Sequence, residues 1–319
     1  MAQKRFPKVR AVLVLSAVLV ASAIHLPGQG SLPAAKPIPR LQALPLPLDQ
    51  ISFERDGLEL TRYYYATNLN RPFLHPINGP SGISLTRMGH PRDPQSHKHH
   101  NSVWISHQSV HGVNFWEDGG AGTIAHQTLE EIEDGDETAR VRVLNAWRTG
   151  NKILLWEHRQ LTVKTLSSKE WLLVIDLRFE TKETEIILGQ TAFGLLGVRM
   201  AKTIGVRDGG GIIRNSEGGT NEAGAFRKPA RWVDYSGPIT STALEGITLM
   251  DHPSNRNHPS VFHVREDGWM GSALTYGGEI KITPEQPLAL RYGLYVHATV
   301  PAKETIDRVF REFAGMKNE

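Results

Sequence analysis

Leu288-Ala289-Leu290-Arg291-Tyr292-Gly293-Leu294-Tyr295-Val296-His297-Ala298-Thr299-Val300 decides the fold. Its even positions, Leu288, Leu290, Tyr292, Leu294, Val296, Ala298 and Val300, form one apolar face, and the other face carries Arg291, Tyr295 and His297. Successive side chains of a strand point to opposite sides, so period two over this length marks a long half-buried β-strand. Working outward, Trp171–Phe179 repeats the pattern: Trp171, Leu173, Ile175, Leu177 and Phe179 share a face, while Asp176 and Arg178 point the other way. Ala139–Trp147 alternates as well, and Thr149-Gly150-Asn151-Lys152 reads as a hairpin turn into Ile153–Val163. Long antiparallel strands joined by turns predict an all-β fold, a large antiparallel β-sandwich. Helix is scarce. Pro301 to Met316, with Ile306, Val309, Phe310 and Phe313 at helical spacing, predicts one C-terminal helix packed on the sandwich.

The opposite end of the chain reads differently. Lys4, Arg5, Lys8 and Arg10 precede the uncharged apolar run Ala11–Ala23, and Ala21-Ser22-Ala23 fits a small-x-small cleavage site. Residues 1–23 therefore read as an export signal. At about 1.5 Å per residue the run is short of a roughly 30 Å hydrocarbon core. Residues 24–49, with Pro27, Pro33, Pro37, Pro39, Pro45 and Pro47, read as a proline-rich tether, and residues 50–319 as a single domain. The expected destination is the periplasm or the extracellular space, with no membrane span in the mature chain.

Charge excludes one class of partner. The chain has 36 Lys+Arg against 33 Asp+Glu, or +3, and removing the four basic residues of the leader leaves 32 against 33. A near-neutral body without a basic stripe argues against nucleic acid. The chain has no Cys, so disulfides and thiolate metal sites are excluded.

Chemistry concentrates in Ser96-His97-Lys98-His99-His100-Asn101 and its continuation to His107 and His111, with Trp104, Phe115 and Trp116 alongside. Imidazole titrates near neutrality and is the commonest metal ligand. In an extended strand His97 and His99 would point together and His100 away. Two uses follow. His97, His99 and His107 could ligate a divalent transition metal, with His126, Glu117 or Glu217 in support. Alternatively His99, His100 and His107 serve as acid–base groups, with Glu217 as a carboxylate and Arg87 and Arg265 orienting polar substrate groups. A third reading is a hydrogen-bonded network that orders a loop.

Three further stretches stand out. Gly205 to Pro229 is glycine-rich and carries Glu217, in the manner of a binding loop. Arg231-Trp232-Val233-Asp234-Tyr235-Ser236-Gly237 offers Asp234 and Tyr235 to a sugar, with Trp232 read as core. Asp251–Pro259, containing Asn255, is polar and proline-broken, and leads to Val261-Phe262-His263-Val264-Arg265, where His263 and Arg265 share a face.

Arg71-Pro72-Phe73-Leu74-His75-Pro76, Gly79-Pro80-Ser81-Gly82, His97-Lys98-His99-His100, Gly112-Val113-Asn114-Phe115-Trp116, Trp232–Gly237 and His252-Pro253-Ser254-Asn255 together resemble the PmoA-like family of exported bacterial proteins. The resemblance implies an all-β sandwich, of the galactose-mutarotase-like kind, encoded near sugar-processing enzymes, and its label implies a metal-dependent oxygenase. Taken together, the expectation is an exported carbohydrate-active enzyme, a lyase, hydrolase or epimerase, acting on a small-molecule or glycan substrate. Its site would combine the histidines with Arg87, Trp104, Asp234, Tyr235, Asn255 and Arg265. The rivals are a metal-dependent oxidoreductase and a non-catalytic glycan-binding envelope protein.

Overall fold

The alternating segments become the centre of an eight-stranded antiparallel sheet in the computed structural model, which describes residues 36–93 and 97–317. In chain order the first strands are β1 Leu41–Leu46, β2 Gln50–Arg55, β3 Leu58–Tyr64, β4 Phe73–Ile77 and β5 Val103–Ser106. Four long ones follow: β6 Gly122–Glu133, β7 Thr138–Thr149, β8 Lys152–Thr165 and β9 Trp171–Glu180. Then come β10 Ile186–Leu188, β11 Leu195–Arg199, helix α1 Val206–Gly209, β12 Ile212–Asn215, helix α2 Asn221–Ala225 and β13 Lys228–Pro229. The chain closes with β14 Trp232–Pro238, β15 Leu244–Asp251, β16 Val261–Arg265, β17 Trp269–Ala273, β18 Ile280–Ile282, β19 Leu288–Ala298 and helix α3 Lys303–Ala314.

The eight-stranded sheet runs β12-β14-β15-β19-β9-β8-β7-β6, and a nine-stranded sheet runs β1-β2-β3-β4-β5-β11-β17-β16-β13. Both are antiparallel, and their inner faces share one apolar core. The protein is an all-β sandwich with a C-terminal helix. From β9 the odd positions Trp171 to Phe179 enter that core, and from β19 the even positions Leu288 to Val296. Gly150 at φ +55° lets two residues turn β7 into β8.

Each sheet also buries part of its outer face. Helix α3 lays Ile306, Val309, Phe310 and Phe313 against Leu172, Val174, Trp232, Met250 and Tyr295 of the eight-stranded sheet. Gly293 of β19 makes room there, since a Cβ would sit 3.1 Å from the Phe313 ring. On the nine-stranded sheet the outer cluster is aromatic: Phe73, Trp104, Trp116 and Trp269. Gly197 of β11 lies directly under Trp104, where a Cβ would come within 2.5 Å of the indole.

One boundary differs from the reading of the sequence. The segment taken as a tether ends in β1, which pairs along its length with β2 and buries Leu41 and Ala43. Edge position explains how β1 accommodates Pro45, because a strand with one free side can do without a ladder N–H. The compact unit that holds the sandwich thus begins at Pro39. The export signal, residues 1–23, lies outside the described residues, as does the first half of the tether. No helix among the described residues is long and apolar enough to cross a membrane.

Candidate functional site

The outer aromatic cluster is the floor of a pocket of about 360 Å³. Two sources supply its walls. Loops contribute His97, His99 and His100 before β5, Trp116 and Glu117 after it, and Phe193 before β11. The sheet contributes His263 and Arg265 from β16, Asp267 from the following turn, and Trp269 from β17; Arg207 of α1 stands at the rim. On β16, Phe262 and Val264 enter the core, so strand alternation sends His263 and Arg265 outward together.

The histidine block is a turn, not a strand: the His100 N–H donates to the His97 carbonyl at 3.1 Å. His97 therefore stacks on His100 (4.4 Å between centroids, 13° between planes), and His99 stands edge-on to both. His100 continues the stack onto Trp104 at 4.9 Å and Trp269 at 5.6 Å. Parity does not carry beyond the block either, since Ser102 takes a left-handed φ of +56° before β5 begins.

A buried cation joins the loops. Arg71 is 1% exposed and donates to the His99 carbonyl (3.2 Å), Asn101 Oδ1 (2.7 Å), the Trp116 carbonyl (2.8 Å) and Asp118 Oδ1 (3.2 Å). One guanidinium thus fixes the histidine turn against the Trp116 loop, using the planar fork that suits arginine to several acceptors at once. A second buried cation, Arg199, donates to Asp267 Oδ1 at 3.0 Å, and Asp267 Oδ2 lies 3.5 Å from His97 Nδ1.

The imidazoles are neutral near pH 7. Burial lowers His99 and His263 to about 4, pushes His100 further down, and lowers His97 too. For His263 the tautomer is set: its Nδ1–H donates to the Ala192 carbonyl at 3.0 Å, which leaves Nε2 with a lone pair. Its ring packs edge-on against Trp269 at 4.1 Å and Phe226 at 4.8 Å. The ring nitrogens His97 Nδ1, His100 Nδ1, Trp104 Nε1 and Trp269 Nε1 are buried without a hydrogen-bond partner among the described residues. Each such group is costly to leave unpaired, and a polar ligand in the hollow would supply partners to those that face it.

Of the residues singled out in the sequence, His97, His99, His100 and Arg265 line this pocket, with Trp104 beneath it. His107 does not. It is wholly buried, accepts from the Ser109 N–H at Nδ1 (3.1 Å) and reaches Thr275 Oγ1 from Nε2 (3.0 Å), so both nitrogens are committed. The metal triad of His97, His99 and His107 is therefore corrected. Among the described residues, no group of three or more His, Asp or Glu side chains is placed to hold a metal ion. Glu217 is corrected as well: it is exposed, accepts from Ser216 Oγ at 2.7 Å and faces Arg231. The glycine-rich segment around it folds into α1, β12, α2 and β13, and Arg207 of α1 is what it brings to the pocket.

Asp234, Tyr235 and Asn255 are structural too. Asp234 is buried with His297 Nε2 at 2.8 Å and Arg214 at 2.7 Å, an arrangement that holds its carboxyl down at about 2. The Tyr235 hydroxyl accepts from the Val206 N–H at 3.1 Å, and Asn255 joins Asp251 to the backbone of Arg291. Arg87 pairs with Asp93 at 2.9 Å in a neighbouring hollow. His126, on β6, packs against Tyr65.

The family of unknown function DUF6807 matches residues 50–311, and the chain belongs to it. This corrects the resemblance to the PmoA-like family, and the expectations drawn from that label, oxygenase activity among them, lose their support. No curated protein matches the chain.

Proposed function

We propose that this member of the DUF6807 family is an exported saccharide-processing enzyme working by proton transfer, of the lyase or epimerase kind. The observation that carries the reading is His263: its tautomer is fixed by Ala192, its free Nε2 belongs to an aromatic-lined pocket, and Arg265 shares its strand face. A neutral imidazole with a lone pair is the group that accepts a proton in the transition state, worth about 10²- to 10⁴-fold. Trp116, Phe193 and Trp269 supply flat apolar surface for one face of a sugar ring, while His99 and Glu117 supply polar groups for its hydroxyls and for returning a proton. Arg265, held by Glu222 at 3.1 Å, steadies the developing negative charge. The basic residues Lys4 to Arg10 and the apolar run after them support export.

The test is incubation of the mature protein in D₂O with a panel of neutral and acidic oligosaccharides, read by NMR and mass spectrometry. An epimerase or lyase yields new product, with deuterium at carbon in the epimerised sugar. Tight binding of a saccharide with no conversion would make the protein a glycan-binding one, and the enzymatic reading would be wrong.

A further inference from the structure

Beside the pocket, and sharing Arg207 and Asp267 with it, lies a second hollow of about 310 Å³. The two differ in chemistry. The first is walled by imidazole and indole, whereas the second is lined by five cations, Arg87, Arg92, Arg199, Lys202 and Arg207, against three carboxylates. Two of the cations are neutralised in place: Arg87 pairs with Asp93 at 2.9 Å and Arg199 with Asp267 at 3.0 Å. Arg92, Lys202 and Arg207 have no ion-pair partner among the described residues, and only Asp208 of the lining opposes them. A net excess of two positive charges therefore sits in a concave site whose floor includes a buried arginine, 1% exposed. Concavity focuses such a field, and guanidinium forks match the oxygens of a carboxylate or sulfate.

We infer that the second hollow is an anion subsite, and that the substrate is an acidic saccharide with one sugar ring in the His–Trp pocket and its anionic group beyond Arg207. The inference rests on the saccharide reading of the pocket. Arg207, at the boundary, contacts both parts of such a ligand. Asp267 is tied back to Arg199, so a ligand crossing this boundary meets a carboxylate already compensated.

Calorimetric titration with cellotetraose, sulfated cellotetraose, tetragalacturonate and inorganic sulfate tests it, on the wild type and on an Arg92→Gln/Lys202→Gln variant. At low salt at least one acidic tetrasaccharide is expected to bind about tenfold tighter than cellotetraose, a margin that shrinks as salt rises and disappears in the variant. The sulfated and uronate probes separate sulfate from carboxylate recognition. If cellotetraose binds as well as both acidic probes and the variant changes nothing, the anion subsite is wrong while the saccharide reading stands. If no saccharide binds, whether or not sulfate does, the saccharide reading falls, and the acidic-saccharide assignment with it.

Discussion

The two sheets of the sandwich are built on different terms. The eight-stranded sheet is built around long strands in hairpin succession, β6 to β9, with β9 paired to β19 over nine consecutive positions. The nine-stranded sheet is assembled from short pieces: β4 and β5 meet at only two positions, and β5, β11 and β17 hold four or five residues each. Isolated bridges such as Thr86 to Met200 and Met88 to Asn101 extend its pairing past the ends of β11 and β5. Ladder hydrogen bonds and a single core stabilise the first. The outer layer of the second depends on side chains, Arg71 and Arg199 above all, to hold loops in place. A rigid frame on one side lets the other give its backbone over to a site.

The comparison is most exposed at Arg71. Arg71→Ala removes the joint between the histidine turn and the Trp116 loop and leaves buried carbonyls unpaired. The expected cost is about 3–5 kcal/mol in denaturant melts, with loss of saccharide binding. An unchanged midpoint would show that the loops stand without it. In the regular sheet, Ile175→Ala opens the core and is expected to cost about 2–5 kcal/mol. There the pocket should survive, so binding measured on the folded variant stays near wild type; a parallel loss would mean that the sheets are not separable in this way.

Acid should sharpen the contrast further. His99, His107 and His263 titrate at about 4 in the folded chain against 6.5 when unfolded. Between those values the unfolded chain binds more protons, so stability is at its full value above about pH 6.5 and falls as pH drops through about 4. Urea melts from pH 7 to 4 should show that slope, and a flat profile would contradict the burial of these rings. Smaller again is His107→Ala, expected to cost about 1–3 kcal/mol through its two lost hydrogen bonds while leaving turnover per folded molecule intact. Lost turnover in a folded His107→Ala protein would return that residue to the chemistry.

The same contrast decides what could be read from the chain. Leu288–Val296 and Trp171–Phe179 were legible because each has one face in the shared core and one outside it, which writes period two into the residues; the alternation was read two steps too far, since β19 ends at Ala298, Thr299 turns left-handed and Val300 is exposed. Strands β5, β11 and β17 are buried on both faces, under aromatic residues or loops as well as over the core, so their sequence carries no alternation to find. The pocket was half legible. His97 to His100 announced themselves by density, but residues some 165 positions later reach them only through the order β5-β11-β17-β16. A signal for His263 was present in its shared face with Arg265; nothing local distinguished Asp267 or Trp269. His107 misled for a physical reason, since the left-handed Ser102 resets the direction of every side chain after it.

Replacement of the imidazole at position 263 is the most direct trial of the account. For a saccharide that the wild type converts, kcat/KM of His263→Ala per folded molecule is expected to fall about 10²- to 10⁴-fold at pH 7, a loss larger than the roughly 1–3 kcal/mol of stability that goes with the Ala192 hydrogen bond. A variant that turns over at the parental rate would contradict it.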